Sequence, residues 1–244
     1  MAGTAIPRRL SWQLGTVTEL AVENARCTSI MLELPDWPGH RAGQHVDVRL
    51  TAEDGYQAQR SYSIASAPED DVLMLTVERL ADGEVSPYLT DELRPGDALE
   101  LRGPIGGYFV WEDDGDGPRM MVAGGSGIVP FRAMLRHHQA AGSIAPVRVL
   151  YSSRSLEDVI YREELLTHGD VHVALTREWP ADWEGLRGRV DRELLEELAW
   201  PVDQRPLTYI CGPTGFVQAV GEALVAAGHD PSQIRTERFG PTGT

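Results

Sequence analysis

The sequence predicts two unlike halves in one chain: an antiparallel barrel or sandwich, then a doubly wound α/β unit built on a parallel sheet. Three observations carry this. Up to about Val110, short apolar runs are broken by Gly, Pro and Asp, the pattern of strands joined by tight turns. After Trp111-Glu112-Asp113-Asp114-Gly115-Asp116-Gly117-Pro118, an acidic, Gly-rich stretch without periodicity, strand and helix patterns alternate. The length, 244 residues, suits two modest domains.

In the first half the expected strands are Thr16 to Ala21, Ser29 to Leu34, His45 to Leu50, Gln59 to Ile64, Val72 to Val77 and Ala98 to Arg102. Turn signals separate them, among them Asp36-Trp37-Pro38-Gly39, Glu53-Asp54-Gly55 and Pro95-Gly96-Asp97. One short helix, Pro87 to Leu93, is expected between them, with Ser86 as its N-cap and Pro in the first helical position. The acidic run from Trp111 to Pro118 reads as a solvated linker.

In the second half the expected strands are Met120 to Ala123, Val147 to Tyr151, Val171 to Leu175, Leu207 to Ile210 and Ile234 to Glu237. The expected helices are Pro130 to Ala140, with Phe131, Met134 and Leu135 on one face, a helix capped by Ser155 and running to Leu166, one capped by Asp191 and running to Leu198, and Gly215 to Ala227. Sheets of this kind bind ligands at the carboxyl ends of their strands. The loops after Ala123, Tyr151, Leu175 and Ile210 are therefore the places to look.

Composition excludes several classes. At 42% hydrophobic and 24% charged the chain reads as an ordinary globular protein. No stretch approaches the roughly 20 apolar residues of a membrane span. The first ten residues carry two arginines but no apolar run after them, so no signal peptide is expected and the cytoplasm is the default location. A net charge of −15 disfavours nonspecific binding to nucleic acid or anionic lipid. Two cysteines, Cys27 and Cys211, are too few for a disulfide framework or a cysteine-ligated cluster.

Four segments carry candidate chemistry. Gly124-Gly125-Ser126-Gly127 follows a strand and opens a helix, where backbone and helix amides attract a phosphate; the same residues also suit a bare strand–helix turn. Arg60-Ser61-Tyr62-Ser63 lines up a guanidinium, a flat ring and two hydroxyls, which suits a ligand with a phosphate and an aromatic face. Gly83-Glu84-Val85 leads into Ser86 and forms a loop able to close over an anion, or a plain capped surface helix. Cys211-Gly212-Pro213 puts a thiol at a strand's carboxyl end, whereas Cys27 reads as a small buried hydrophobe.

Taken in order, these segments, together with Gly103 to Phe109, the continuation Ile128-Val129-Pro130 and Glu237-Arg238-Phe239, resemble the ferredoxin–NADP reductase family over nearly the whole chain. The resemblance implies a flavin-binding antiparallel β-barrel over residues 1–112 and a nucleotide-binding doubly wound α/β domain over 119–244, with the flavin ring between them. It places Arg60 on the flavin phosphates, with Ser61 beside it, Tyr62 against the ring or its ribityl chain, and Ser63 near the redox-active nitrogen. Gly83, Glu84, Val85 and the Ser86 helix start would hold the pyrophosphate, which favours FAD over FMN. Gly124, Gly125, Ser126 and Gly127 would take the nicotinamide nucleotide's pyrophosphate. Cys211, with Gly212 and Pro213, and Glu237 would flank the nicotinamide. With Ser63, Cys211 and Glu237 are the expected catalytic residues. Ser126 stands where threonine is common in the family, and Phe239 is followed by five more residues, so its part as the ring that stacks on the flavin is open.

NADP is expected over NAD, with NAD possible. Ser153-Arg154 and Thr176-Arg177 follow two successive strands, no acid sits there to hold a free ribose hydroxyl, and arginine suits a 2′-phosphate. The expected acceptor is a separate one-electron carrier such as a ferredoxin; Arg8, Arg9, Arg132, Arg136, His137 and His138 suit either a basic docking face for it or ordinary solvated helix positions. Two other readings stand beside this one: a reductase of small acceptors (free flavin, quinone, ferric chelates), and a flavin-holding redox sensor without turnover.

Overall fold

A computed structural model describes residues 10–112 and 115–240. The first sheet comprises β1 (Trp12–Asn24), β2 (Cys27–Glu33), β3 (His45–Thr51), β4 (Gln57–Ser63), β5 (Leu73–Glu78) and β6 (Ala98–Ile105). Its order is β4-β3-β6-β1-β2-β5, with every pairing antiparallel. A bridge between Ile64 and Leu75 joins the two outer strands. The barrel expected from the sequence therefore closes, and closure removes the free strand edges. Ile30 and Leu32, Val46 and Val48, and Leu99 and Leu101 are each two residues apart and all buried, the period of strands with one face inward. Burial of each such side chain contributes roughly 1.5–3 kcal/mol.

The second sheet comprises β7 (Arg119–Gly124), β8 (Val147–Ser153), β9 (Val171–Leu175), β10 (Leu186–Arg187), β11 (Leu207–Pro213) and β12 (Ile234–Phe239); its helices are α1 (Val129–Ala140), α2 (Arg162–Leu166), α3 (Arg192–Leu198) and α4 (Thr214–Ala226). The strands are parallel in the order β10-β9-β8-β7-β11-β12. Both faces are covered. Met121 and Ala123 of β7 pack in the core shared with α1, while Met120 and Val122 pack in the core shared with α3 and α4. The chain leaves β7 for β8 on one side and returns to β11 on the other, so the crevice of a doubly wound sheet opens between the carboxyl ends of β7 and β11.

The two sheets share one core. Ala42, Ala65, Met74, Phe109 and Trp111 pack with Phe131, Met134 and Leu135 of α1. The Phe109 ring stacks on Phe131 at 5.9 Å between centroids and meets Tyr209 edge-on at 5.5 Å. The Tyr209 hydroxyl donates to the Val110 carbonyl at 2.9 Å.

Four expectations need correction. The expected linker is anchored at its start. Trp111 is buried, its amide donates to the Ala42 carbonyl at 2.9 Å, and Glu112 pairs with Arg235 at 2.8 Å; Asp113 and Asp114 lie outside the described residues. The helix expected from Ser155 begins only at Arg162, because Tyr161 just before it takes a left-handed backbone (φ +57°), which a right-handed helix cannot run through. The Ser155 hydroxyl donates to Asp158 at 3.2 Å instead of capping. Residues after Pro87 form one wide turn, Tyr88–Glu92, whose closing bond runs from the Leu93 amide to the Tyr88 carbonyl at 3.0 Å. Ser86 is not its cap: its hydroxyl is buried and accepts from the Leu80 amide at 3.0 Å. Asp191, by contrast, caps α3 as expected, accepting from the Leu194 amide at 3.0 Å.

Candidate active site at the junction of the two sheets

Two loops meet at the crevice. Gly124 to Gly127 leaves β7, winds through one 3₁₀ turn and enters α1, with Pro130 in its first turn. Gly127 lies against the end of β11. A Cβ there would stand 2.1 Å from the Cys211 carbonyl oxygen, so only glycine allows this approach. Gly125 has φ +57° and faces open space, which leaves its backbone accessible to a ligand. Gly124 and Gly212 both lie under the Phe216 ring. Three of the four glycines noted in these loops therefore serve loop-on-loop packing first.

The cleft that these loops frame is lined by Gly124, Gly125, Ser126, Ser153, Arg154 and Thr176, by Pro213, Phe216 and Phe239, and by Arg26, Cys27 and Glu78 of the barrel. Thr176 donates through its amide (2.9 Å) and its hydroxyl (3.0 Å) to the Ser153 carbonyl, and the Arg177 amide donates to the Arg154 carbonyl at 2.9 Å. These bonds hold the two expected arginines on neighbouring strand ends. Both are exposed, and neither side chain forms an ion pair among the described residues. Phe239 pairs with Pro213 across β12 and β11 at the cleft's edge.

The three expected catalytic residues gather where the barrel meets the crevice. Cys211 and Glu237 are register partners on β11 and β12. Ser63 is the register partner of His45 on the barrel. The His45 ring closes the gap, with Nδ1 3.6 Å from a Glu237 oxygen. The other Glu237 oxygen is buried without a hydrogen-bond partner among the described residues. Burial pushes the Glu237 carboxyl up to about 7, because a carboxylate is poorly solvated there. Burial, then the nearby Glu237, holds the Cys211 thiol well above its ordinary value. Burial lowers the His45 imidazole against the opposing pull of Asp47. Near neutral pH the centre thus holds an uncharged thiol, an uncharged imidazole and a carboxyl poised to titrate. The sequence reading missed His45. Its one local sign is a polar ring opening a strand right after Gly43-Gln44, and the glutamate that gives it meaning is at the other end of the chain.

On the barrel's outer side, β4 presents Arg60. Its guanidinium pairs with Glu84 at 2.8 Å, and the Tyr56 hydroxyl donates to the same carboxylate at 2.7 Å. The Arg60 and Gly83 to Ser86 segments are therefore brought together, although separated by β5. Within the second segment Val85 is fully buried in the barrel core and the Ser86 hydroxyl points inward, so only their backbone is available to a ligand. Ser61 is committed as well, donating to the buried Asp47 at 2.7 Å. Although burial alone would raise it, hydrogen bonds from Arg102 and Ser61 hold Asp47 below the usual carboxylate range. Tyr62 packs against the barrel core, and burial raises its phenol above the usual range.

Among the described residues, the groups expected to offer a basic docking face are engaged in internal contacts. Arg132 pairs with Glu164 at 2.7 Å and donates to the Ala65 carbonyl; Arg136 pairs with Asp70 and His137 with Glu69, both at 2.7 Å; His138 contacts the Ala145 carbonyl at 2.9 Å. Most of these partners belong to the barrel, so the groups clamp the halves together. Arg8 and Arg9 lie outside the described residues.

The residues present fit a flavin at the junction: a half-exposed arginine whose partner is an equally exposed carboxylate, an adjacent flat ring, and a buried carboxyl oxygen, without a hydrogen-bond partner among the described residues, beside a thiol. Comparison with known proteins agrees. Residues 16–110 match the oxidoreductase FAD-binding domain family and residues 121–222 the oxidoreductase NAD-binding domain family. A ferredoxin–NADP reductase B from Sorangium cellulosum is 36% identical, over 91% of each chain. The glycine betaine monooxygenase reductase subunit of Pseudomonas aeruginosa is 31% identical over 83% of this chain, which spans 57% of that relative's length. The solved FAD/NAD-binding domain of a Vibrio cholerae nitric oxide dioxygenase superposes with a TM-score of 0.82 at 30% identity, covering 94% of this chain and 99% of that one. With a closed barrel, a doubly wound sheet and the strand ends of both converging on one centre, the chain belongs to the ferredoxin–NADP reductase family.

Proposed function

We propose that the chain is an NAD(P)H-dependent flavoprotein reductase that takes hydride from the nucleotide onto bound FAD and passes electrons singly to a separate carrier such as a ferredoxin. The observation that carries this is the convergence of Ser63, His45, Glu237 and Cys211 where the barrel meets the strand ends of the second sheet. When bound, FAD supplies the step from two-electron to one-electron chemistry. What the chain supplies is position and solvation. Arg60 would trade Glu84 for a flavin phosphate, with the backbone of Gly83 to Ser86 beside it and Tyr62 against the flavin's flat portion. Residues 1–112 would form the flavin-binding unit and 119–244 the nucleotide-binding unit.

On the nucleotide side, Gly125 and the start of α1 would face the pyrophosphate. Arg154 and Arg177, unpaired and held on adjacent strand ends, suit a 2′-phosphate and favour NADPH. Cys211 stays a thiol, small and uncharged, and leaves room for a flat ring. Glu237 holds or releases a proton near neutral pH at a buried oxygen, and Ser63 offers a hydroxyl on the opposite side.

Small acceptors remain a second reading, favoured by one observation: the arginines expected to greet an acidic protein are spent on internal pairs. No helix among the described residues is long and apolar enough to cross a membrane. Anaerobic stopped-flow tests the proposal. Purified protein is expected to be yellow, to bleach with NADPH faster than with NADH, and to pass electrons to a ferredoxin faster than to ferric chelates. Protein without affinity for FAD contradicts the whole reading; equal or faster turnover with chelates replaces the carrier with small acceptors.

A further inference from the structure

The nucleotide cleft contains charges that its assigned residues do not explain. Arg26 stands in the turn between β1 and β2, where its amide donates to Asn24 Oδ1 at 2.9 Å. Its guanidinium reaches Glu78 of β5 at 3.0 Å and Asp158 at 3.5 Å. The other oxygen of Glu78 accepts from the Ser126 hydroxyl, inside the glycine loop, at 2.8 Å. Arg26, Glu78, Ser126 and Asp158 all line the cleft with Gly124 and Gly125. A carboxylate so placed is at odds with an anion site, since it adds negative charge where the loop amides and the start of α1 favour a phosphate.

The contradiction resolves when the donors are considered. Glu78 accepts one guanidinium N–H and one hydroxyl at the mouth of a glycine loop, which are the contacts a phosphate oxygen there would make. We propose that Arg26 adds a barrel-borne ligand to the pyrophosphate subsite expected at the glycine loop, and that Glu78 occupies both Arg26 and Ser126 until the nucleotide displaces it. The proposal rests on the reading of this cleft as the NAD(P)H site. Arg26 then gives the barrel a direct hold on a ligand otherwise bound by the second half. Asp158, which also faces Arg26, keeps the guanidinium over the cleft when Glu78 leaves. Because Glu78 competes for the same donors, it lowers affinity for both nucleotide forms alike.

The test is calorimetric titration of FAD-loaded protein with NADP⁺, and with adenosine 2′-monophosphate, which lacks the pyrophosphate. Loss of one charge-assisted contact in Arg26→Ala is expected to weaken NADP⁺ binding roughly tenfold or more. Glu78→Gln, which can still accept from Ser126 but carries no charge, is expected to tighten NADP⁺ binding about threefold or more. Arg26→Lys is expected to fall between wild type and Arg26→Ala. Adenosine 2′-monophosphate is expected to bind all four proteins alike. A role confined to clamping the two halves predicts instead that both losses weaken both ligands. Overturning results are NADP⁺ affinity in either Arg26→Ala or Glu78→Gln that stays close to wild type or moves the other way, or equal effects on the two ligands. Failure of wild type to bind NADP⁺ at all overturns the underlying reading of the cleft instead.

Discussion

The flavin side of the barrel and the junction centre use similar residue types in opposite surroundings. On β4, Arg60 and Glu84 form a tight pair with about half of each side chain in water, at 53% and 48% exposure. At the junction, Glu237 and His45 approach no closer than 3.6 Å, yet both are shifted by burial. An exposed pair is screened by water and salt, so its partners exchange readily for a ligand. A buried carboxyl without a charged donor has its proton affinity set by the protein, and that is where chemistry can be tuned. On the proposed reading, binding resides where charges are replaceable, and rate control where they are not.

The sharpest way to break this division is to disturb the packing that builds the junction. Gly127→Ala drives a methyl into the Cys211 backbone. It is expected to cost at least about 1–3 kcal/mol of stability, as overpacking does, and to abolish NADPH-driven bleaching while leaving FAD bound. Thermal melts and stopped-flow reduction read both effects. Bleaching at wild-type speed would show that the two loops are not held as described.

Next in size are substitutions at the centre itself. Cys211→Ala and Glu237→Gln are expected to slow flavin reduction by roughly 10- to 100-fold with little change in FAD affinity, since misplacement at a reacting centre costs rate more than binding. Glu237 also makes a stability prediction. Its folded value, about 7, lies above the ordinary 4.5, so between these values the folded chain binds more protons than the unfolded one. Stability from this group is present below about pH 4.5 and is lost as pH rises through 7, by on the order of 2–3 kcal/mol. Glu237→Gln is expected to remove that part of the decline. Parallel pH dependence of denaturant midpoints in wild type and variant would contradict the burial argument.

Smaller effects belong to the exposed cations. Arg154→Ala and Arg177→Ala are each expected to cut the preference for NADPH over NADH by roughly tenfold, the loss of one charged hydrogen bond, measured as the ratio of kcat/KM values. Unchanged ratios in both would assign these arginines to the surface. Arg60→Ala is the mildest. Glu84 already offsets its charge, so FAD affinity is expected to fall only about three- to tenfold, near the low end for a charged contact. A far larger loss would mean that Arg60 is not exchangeable.

How much of this was legible in the sequence follows the same line. Strands and the doubly wound order were legible because period-two burial and strand–helix alternation are local signals, and Asp191 as a cap was legible for the same reason. Ser86 and Ser155 share the cap's chemistry but not its outcome. Burial of Val85 and the Ser86 hydroxyl in one case, and the left-handed backbone at Tyr161 in the other, override the local preference. The short β10 carries too few residues to show a period. His45 and the partners of Arg132 and Arg136 were illegible because each depends on a residue distant in the chain, Glu237, Glu164 and Asp70 respectively. The residue resemblance named Ser63, Cys211 and Glu237; only the fold shows which charges they face.

On the proposed reading, the barrel and the second sheet form one hydride-transfer centre between a flavin and NADPH. The most direct measurement is anaerobic mixing of FAD-loaded protein with NADPH, followed at the flavin absorption band. Wild type is expected to bleach completely within a fast first phase, and Glu237→Gln to bleach in a much slower phase with FAD still bound. Protein that retains FAD but does not bleach with NADPH or NADH would contradict it.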